Sequence, residues 1–167
     1  CKRKPAALAA RAVRAGLRAL GENYVQEARD KIPAVAAALG MGTLNIATDG
    51  GGSIRIPASF CGLFGIKPTW GIVPVYPHSP AWTLWHQGPI SRTVADAALM
   101  LTLIAQPDER DWAAGPALGI DYRQHLEEGI AELRIAYSPT LGYAKVDTEV
   151  ATCVARAVNE FTQLGAT

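Results

Sequence analysis

Apolar residues recur at helical spacing at the start of the chain: Val13, Leu17 and Leu20 share one face of the stretch Pro5 to Leu20, and Arg11, Arg14 and Arg18 share another. This pattern predicts a basic amphipathic helix. A second helical stretch, Tyr24 to Leu39, contains Pro33, whose missing N–H and ring clash predict a break or kink, and Gly40 and Gly42 act as stop signals. Leu44 to Ala47 is a short apolar run that reads as a buried strand ending in the loop Asp49-Gly50-Gly51-Gly52-Ser53. Pro57 suits the first turn of a short helix running through Phe60 and Cys61.

Beyond it, Gly65 to Val75 reads as broken strands and turns around Pro68, Gly71 and Pro74, and Tyr76 to Pro89 as a long loop. Thr93 followed by Asp96 is a capping signature ahead of the apolar run Ala97 to Ala105, which predicts a helix. Leu133 to Tyr137 alternates as a strand does, Pro139 and Gly142 turn the chain, and Asp147 caps a helix carrying Val150, Val154, Ala157, Phe161 and Leu164. That last pair is a strand-to-helix unit of an α/β fold.

Composition narrows the class. With 167 residues, 49% hydrophobic and 19% charged, the chain fits one compact domain or a large piece of one and excludes disorder for most of its length. It has no apolar run of the about 20 residues needed to span a bilayer as a helix, so no membrane role is expected. Cys1, Cys61 and Cys153 are far apart and form no CxxC or Cys/His cluster, which argues against a disulfide framework and against a metal site, and favours a reducing, cytoplasmic setting.

Charge divides the chain. Residues 1–39 carry eight Lys/Arg against three acids, whereas residues 40–167 carry eight against twelve. A basic, Ala-rich segment 1–39 and a domain spanning 40–167 are the expected parts. The basic start has too few aromatics for a base-stacking surface, so a solvated helix face is expected and no nucleic-acid partner. Opening on Cys1 and stopping at Thr167, just past an apparent helix end at Gly165, the chain reads as a fragment.

The chemistry concentrates at the glycine loop. Three consecutive glycines let the backbone turn tightly and direct successive N–H groups at one point. Ser53 at the end of that nest is a candidate nucleophile, with Gly50, Gly51, Gly52 and its own N–H as candidate oxyanion donors. Asp49 and Arg55 bracket the loop symmetrically about Gly52. They read equally as a pair that rigidifies it and as two solvated charges.

The longer string Ala47-Thr48-Asp49-Gly50-Gly51-Gly52-Ser53-Ile54-Arg55-Ile56-Pro57, with Phe60-Cys61-Gly62 and Gly65-Ile66-Lys67-Pro68-Thr69 after it, resembles the amidase signature family. That family carries G-T-D-x-G-G-S-I-R-x-P, then F-C-G and G-x-K-P-T. Gly88-Pro89-Ile90-Ser91-Arg92-Thr93-Val94-Ala95-Asp96-Ala97-Ala98 resembles a further family segment, so the likeness runs from about Gly40 to the C-terminus.

The resemblance implies a partial α/β/α sandwich around a mixed sheet and a carboxamide hydrolase without a cofactor. In that family an acylated serine is assisted by a second serine on a cis peptide and by a neutral lysine. By position, Ser53 matches the acylated serine, Gly50, Gly51 and Gly52 the oxyanion hole, and Thr48, Asp49 and Arg55 the supporting loop positions. The family's G-G-S-S-G-G motif would fall near Gln26 to Lys31, with Arg29 at the bridging-serine position, and no serine precedes Ser53. Lys2, Lys4 and Lys31 stand in no matching context, and Lys67 matches a structural position. Low turnover by this polypeptide alone is therefore expected. The implied partners are a small-molecule amide and either a second copy of the chain or the rest of an amidase.

Three other readings compete. Ser53 could work with His78, His86 or His125, although Ile54 and Arg55 depart from a nucleophile elbow. Cys61 could be the nucleophile, against the default of an inert thiol in an apolar stretch. The glycine nest could also belong to a non-catalytic amidase remnant that binds a carboxylate or amide. Trp82, Trp85 and Tyr76 could line an acyl pocket or cover the core.

Overall fold

The computed structural model describes Arg14, residues 25–78 and residues 82–167. The elements in chain order are α1 (Val25–Leu39), β1 (Asn45–Asp49), α2 (Arg55–Cys61), β2 (Phe64–Gly65), a 3-10 turn (Trp82–Leu84), β3 (His86–Ser91), α3 (Val94–Ile104) and α4 (Thr148–Gln163). The chain separates into two compact units, residues 1–124 and residues 125–167. Of the helix expected over Pro5 to Leu20, only Arg14 falls within the described residues; its guanidinium donates to the Ala38 carbonyl.

In the first unit β3 lies between β1 and β2, and both pairings are antiparallel. The architecture is α/β, with helices packed on a small sheet, and among the described residues that sheet is antiparallel where a mixed one was expected. Four consecutive residues of β3, Gly88 to Ser91, are buried, which in a strand means that both faces are covered. Helix α1 packs on β1 and β3, and α3 packs on β3 and β2. Ala34 and Ala37 of α1 close against Ala47, Ile54 and Ile90, with Val35, Cys61 and Leu63 at the margin. Small alanines bring the helix near the sheet, so burial is complete despite their size.

Helix α1 does not break at Pro33; it continues to Leu39. Proline removes one backbone bond, but Ala34 and Ala37 just beyond it are fully buried, and that packing offsets the loss.

The expected loop Tyr76 to Pro89 ends early, because His86 to Ser91 forms the middle strand. Its Gly-Pro pair lacks the usual strand signals, and tertiary contact supplies the reason for both residues. A Cβ on Gly88 would collide with the Ile66 carbonyl oxygen, so only glycine lets the chains approach there. The Pro89 carbonyl accepts the Ile66 N–H at 3.2 Å, which places the donor-less proline nitrogen on the side where β2 has already ended.

Helix α3 begins as predicted: the Thr93 hydroxyl accepts the Asp96 N–H at 3.1 Å. Farther along α3, the Thr102 hydroxyl donates to the Ala98 carbonyl and accepts the Tyr122 N–H, tying the end of the unit to the helix.

In the second unit α4 starts where expected, with Asp147 accepting the N–H groups of Glu149 and Val150. Leu133 to Tyr137 is not a strand. Its backbone makes two bonds to one residue, Thr167 N–H to Leu133 O at 2.9 Å and Ile135 N–H to Thr167 O at 2.7 Å. Those two bonds are the parallel pattern at a single rung, and among the described residues no longer ladder forms there. The apolar stripe of α4 lies exposed within this unit, Val150, Val154, Phe161 and Leu164 included.

Candidate active site

Strand β1 delivers Thr48 and Asp49 to the start of the glycine loop, where they pair with Gln87 and His86 of β3. The loop then turns at Gly52, whose φ of +121° belongs to glycine alone. From there the chain enters α2, with the Ile56 N–H donating to the Gly52 carbonyl at 2.8 Å.

Helix α2 has no side-chain cap of its own at Ile54. The need is met from the strand: Asp49, only 1% exposed, accepts the N–H of Gly52 at 2.6 Å, of Ile54 at 3.3 Å and of Arg55 at 3.5 Å. Arg55 closes on the same carboxylate with two parallel bonds, Nε at 2.9 Å and Nη2 at 3.1 Å. This is the fork geometry of guanidinium and carboxylate, and of the two sequence readings it selects the pair. Burial is the largest single influence on Asp49 and opposes its charge. Arg55 and the Gly52 and Ile54 amides together outweigh it and hold the carboxyl down at about 2.

Asp49 also alters the expected set of oxyanion donors. The Gly52 N–H is committed to its carboxylate, so Gly52 acts as part of the brace. The N–H groups of Gly50, Gly51 and Ser53 have no partner among the described residues. Gly50 and Gly51 are exposed and Ser53 is half-buried, so the loop presents its free amides and hydroxyl toward solvent.

None of the three histidines is hydrogen-bonded to Ser53 among the described residues. His86 Nδ1 meets the Leu84 carbonyl, His78 stands beside Asp111, and His125 pairs with Glu128 in the second unit. Burial pushes the Cys61 thiol up, with Arg14 as a lesser opposing influence, so its thiolate is disfavoured. Lys67 Nζ donates to the Pro68 carbonyl. Among the described residues no group of His, Cys, Asp and Glu is arranged to hold a metal ion, and no helix is long and apolar enough to cross a membrane.

Sequence reasoning missed Asp111. It is buried and accepts the N–H groups of Val75 at 2.7 Å and Ala113 at 2.9 Å, pinning the loop after β2 to a distant turn. Its bond two residues ahead is the side-chain turn that Asp commonly makes, but nothing local marks Val75 as the second partner.

The amidase family profile matches residues 33–167. The chain belongs to the amidase family. It is 41% identical over 132 residues to an acylamidase of Rhodococcus erythropolis, covering 78% of this chain and 28% of that protein. To a glutamyl-tRNA(Gln) amidotransferase subunit of Chromobacterium violaceum it is 40% identical over 134 residues, 80% of this chain and 28% of the relative. Among solved structures, a bacterial aryl acylamidase of the amidase signature enzymes superposes with a TM-score of 0.72 at 34% identity, covering 80% of this chain and 28% of that one. The peptide amidase of Stenotrophomonas maltophilia superposes at 0.66 and 33% identity, covering 81% and 28%. This amidase chain thus spans little more than a quarter of the length of these relatives.

Proposed function

We propose that the glycine loop is the acyl-transfer site of an amide hydrolase. Ser53 Oγ attacks the carboxamide carbonyl, and the oxygen that becomes anionic is received by the free N–H groups of Gly50, Gly51 and Ser53. The C–N bond then breaks, the leaving nitrogen takes a proton, and water cleaves the resulting serine ester. Gly52 serves the brace that Asp49 and Arg55 form, and Thr48 holds the strand end on β3. The observation that carries this reading is the division of labour in the loop: one buried carboxylate binds the amides of Gly52, Ile54 and Arg55, and those of Gly50, Gly51 and Ser53 have no partner among the described residues.

The chemistry up to the acyl-enzyme, in which ammonia leaves a primary carboxamide, is common to free-standing hydrolysis and to a transamidation that uses the released ammonia. Activation of Ser53 needs a proton acceptor, and a serine hydroxyl is a poor nucleophile without one. Residues 1–52 contain no serine to act as the bridging group the family resemblance calls for. We therefore assign this polypeptide slow acylation and low turnover on its own. The reading also includes residues 40–167 as part of an amidase domain, with the end of the basic segment 1–39 packed into it through Ala34 and Ala37. It further includes a small-molecule amide as substrate and the rest of an amidase, or a second copy, as partner. Free thiols at Cys61 and Cys153 support a reducing, cytoplasmic setting.

Exposure to a fluorophosphonate followed by peptide mass mapping tests it. A single adduct on Ser53, absent from Ser53→Ala, is expected. No adduct, or one on another residue, overturns the assignment.

A further inference from the structure

Asp111 belongs to the first unit, and only 6% of it is exposed. A carboxylate is costly to bury, and its local turn does not demand burial, because the bond from the Ala113 N–H two residues ahead forms as readily at a surface. Among the described residues no Lys or Arg pairs with it: the adjacent Arg110 turns to Asp108 and lies over the Tyr76 ring. His78 Nε2 comes within 3.5 Å of Oδ1 without a hydrogen bond. What the buried position reaches is Val75, 36 residues earlier, whose N–H donates to Oδ2 at 2.7 Å.

The two segments are held together along their length. The Gly115 N–H donates to the Gly71 carbonyl at 2.8 Å, and a Cβ on Gly71 would stand 3.0 Å from the Ala113 carbonyl oxygen. The same turn carries Trp112, whose ring centroid is 4.4 Å from that of Trp82. The Trp82 carbonyl accepts the Trp85 N–H at 2.9 Å. The Trp85 ring in turn lies against the glycine loop, where a Cβ on Gly50 would be 3.4 Å from it. Contacts therefore run without a gap from Asp111 to the first glycine of the loop.

Gly50 depends on such a contact. Consecutive glycines turn freely, and an amide stabilises a developing oxyanion well only when its direction is fixed beforehand. Asp49 fixes the far end of the loop by accepting the Gly52 N–H, and a Cβ on Gly51 would meet nothing within 4 Å. At the near end, Gly50 packs against the Trp85 ring and the Leu84 carbonyl.

We propose that Asp111 is a positioning residue for acyl transfer at Ser53. By accepting the Val75 and Ala113 amides it fixes the turn that carries Trp112, and through Trp82 it seats the Trp85 ring on Gly50, which sets the direction of the Gly50 and Gly51 amides. The inference rests on the acyl-transfer reading of the loop and adds to it a residue that works through others.

Fluorine NMR of the 167-residue chain labelled with fluorotryptophan tests it, with the Trp85 resonance identified by its loss in Trp85→Phe. Asp111→Asn has one acceptor oxygen in place of two. It is expected to move the Trp85 resonance and to slow fluorophosphonate labelling of Ser53 about fivefold or more, in the maximal rate constant and not in probe affinity. Trp112→Leu, which keeps the Asp111 carboxylate, should have both effects. Thr93→Ala weakens the α3 cap away from this route and should leave both readouts at the parent values, which separates positioning from a general loss of stability. Should Asp111→Asn lose the far-UV circular dichroism of the parent, Trp112→Leu decides. An unmoved Trp85 resonance, a labelling rate equal to the parent's, or a loss confined to probe affinity overturns the proposal. The two readings fail separately. An unlabelled Ser53 in the parent sinks the nucleophile assignment and leaves the Trp85 resonance to decide whether Asp111 seats that ring, whereas a labelled parent with unchanged variants sinks the role of Asp111 alone.

Discussion

Arg55 grips Asp49 through Nε at 2.9 Å and Nη2 at 3.1 Å, and the glycine loop is folded between the two residues. The partners are unequal, because the carboxylate is 1% exposed while the Arg55 side chain is 55% exposed. Asp49 is therefore the structural centre and Arg55 its counter-charge. Replacing Asp49 by Ala strands the Gly52 and Ile54 amides, and unfolding in urea should show a loss of about 3 kcal/mol. Arg55→Ala should lose about 1 kcal/mol, because water replaces much of what an exposed guanidinium supplies. Equal losses for the two variants would contradict this ordering.

The same pair sets an acid limit. The Asp49 carboxyl is held at about 2 in the folded chain, below the about 3.9 of a free Asp. Its folded value is depressed, so its contribution is fully present above about pH 4 and is lost as pH falls toward 2, amounting to about 2 kcal/mol. Urea midpoints measured from pH 6 to pH 2 should fall across that window. In Asp49→Asn the fall should be shallower by this amount.

Two neighbouring glycines should respond differently to a methyl group. Gly52 holds φ +121° and its Cβ would strike the Ile56 side chain, whereas a Cβ on Gly51 meets nothing within 4 Å. Gly52→Ala is expected to cost about 1 to 3 kcal/mol and to slow labelling of Ser53. Gly51→Ala should stay within about 0.5 kcal/mol of the parent. Urea titration and the rate of adduct formation read both effects.

Helix α3 depends on the Thr93 hydroxyl for its first turn. Thr93→Ala should lower stability by about 1 kcal/mol, and Thr93→Ser should recover most of it. No change in either variant would mean that the Asp96 N–H finds water equally well.

Local chemistry was legible in the sequence. The strand leading into the loop, the short helix opened by Pro57, the Thr93 and Asp147 caps, and the amidase resemblance around Ser53 all follow from residues close together in the chain, where spacing and side-chain type act directly. The choice between pairing and solvation for Asp49 and Arg55 was not legible. It depends on the carboxylate being buried under the turn, and burial is a property of the packed chain.

Tertiary structure decided the remainder. Pro33 sits inside a helix because Ala34 and Ala37 behind it close onto the sheet. Gly88 belongs to the central strand because the Ile66 carbonyl oxygen comes too near for any side chain, and Pro89 because its carbonyl accepts the Ile66 N–H. Leu133 to Tyr137 alternates as a strand does, and among the described residues it makes a single parallel rung with Thr167. The Gly52 N–H is committed to the Asp49 carboxylate, which packing buries beneath the turn. In each case sequence specified what a residue prefers, and long-range contact determined which preference the packed chain could satisfy.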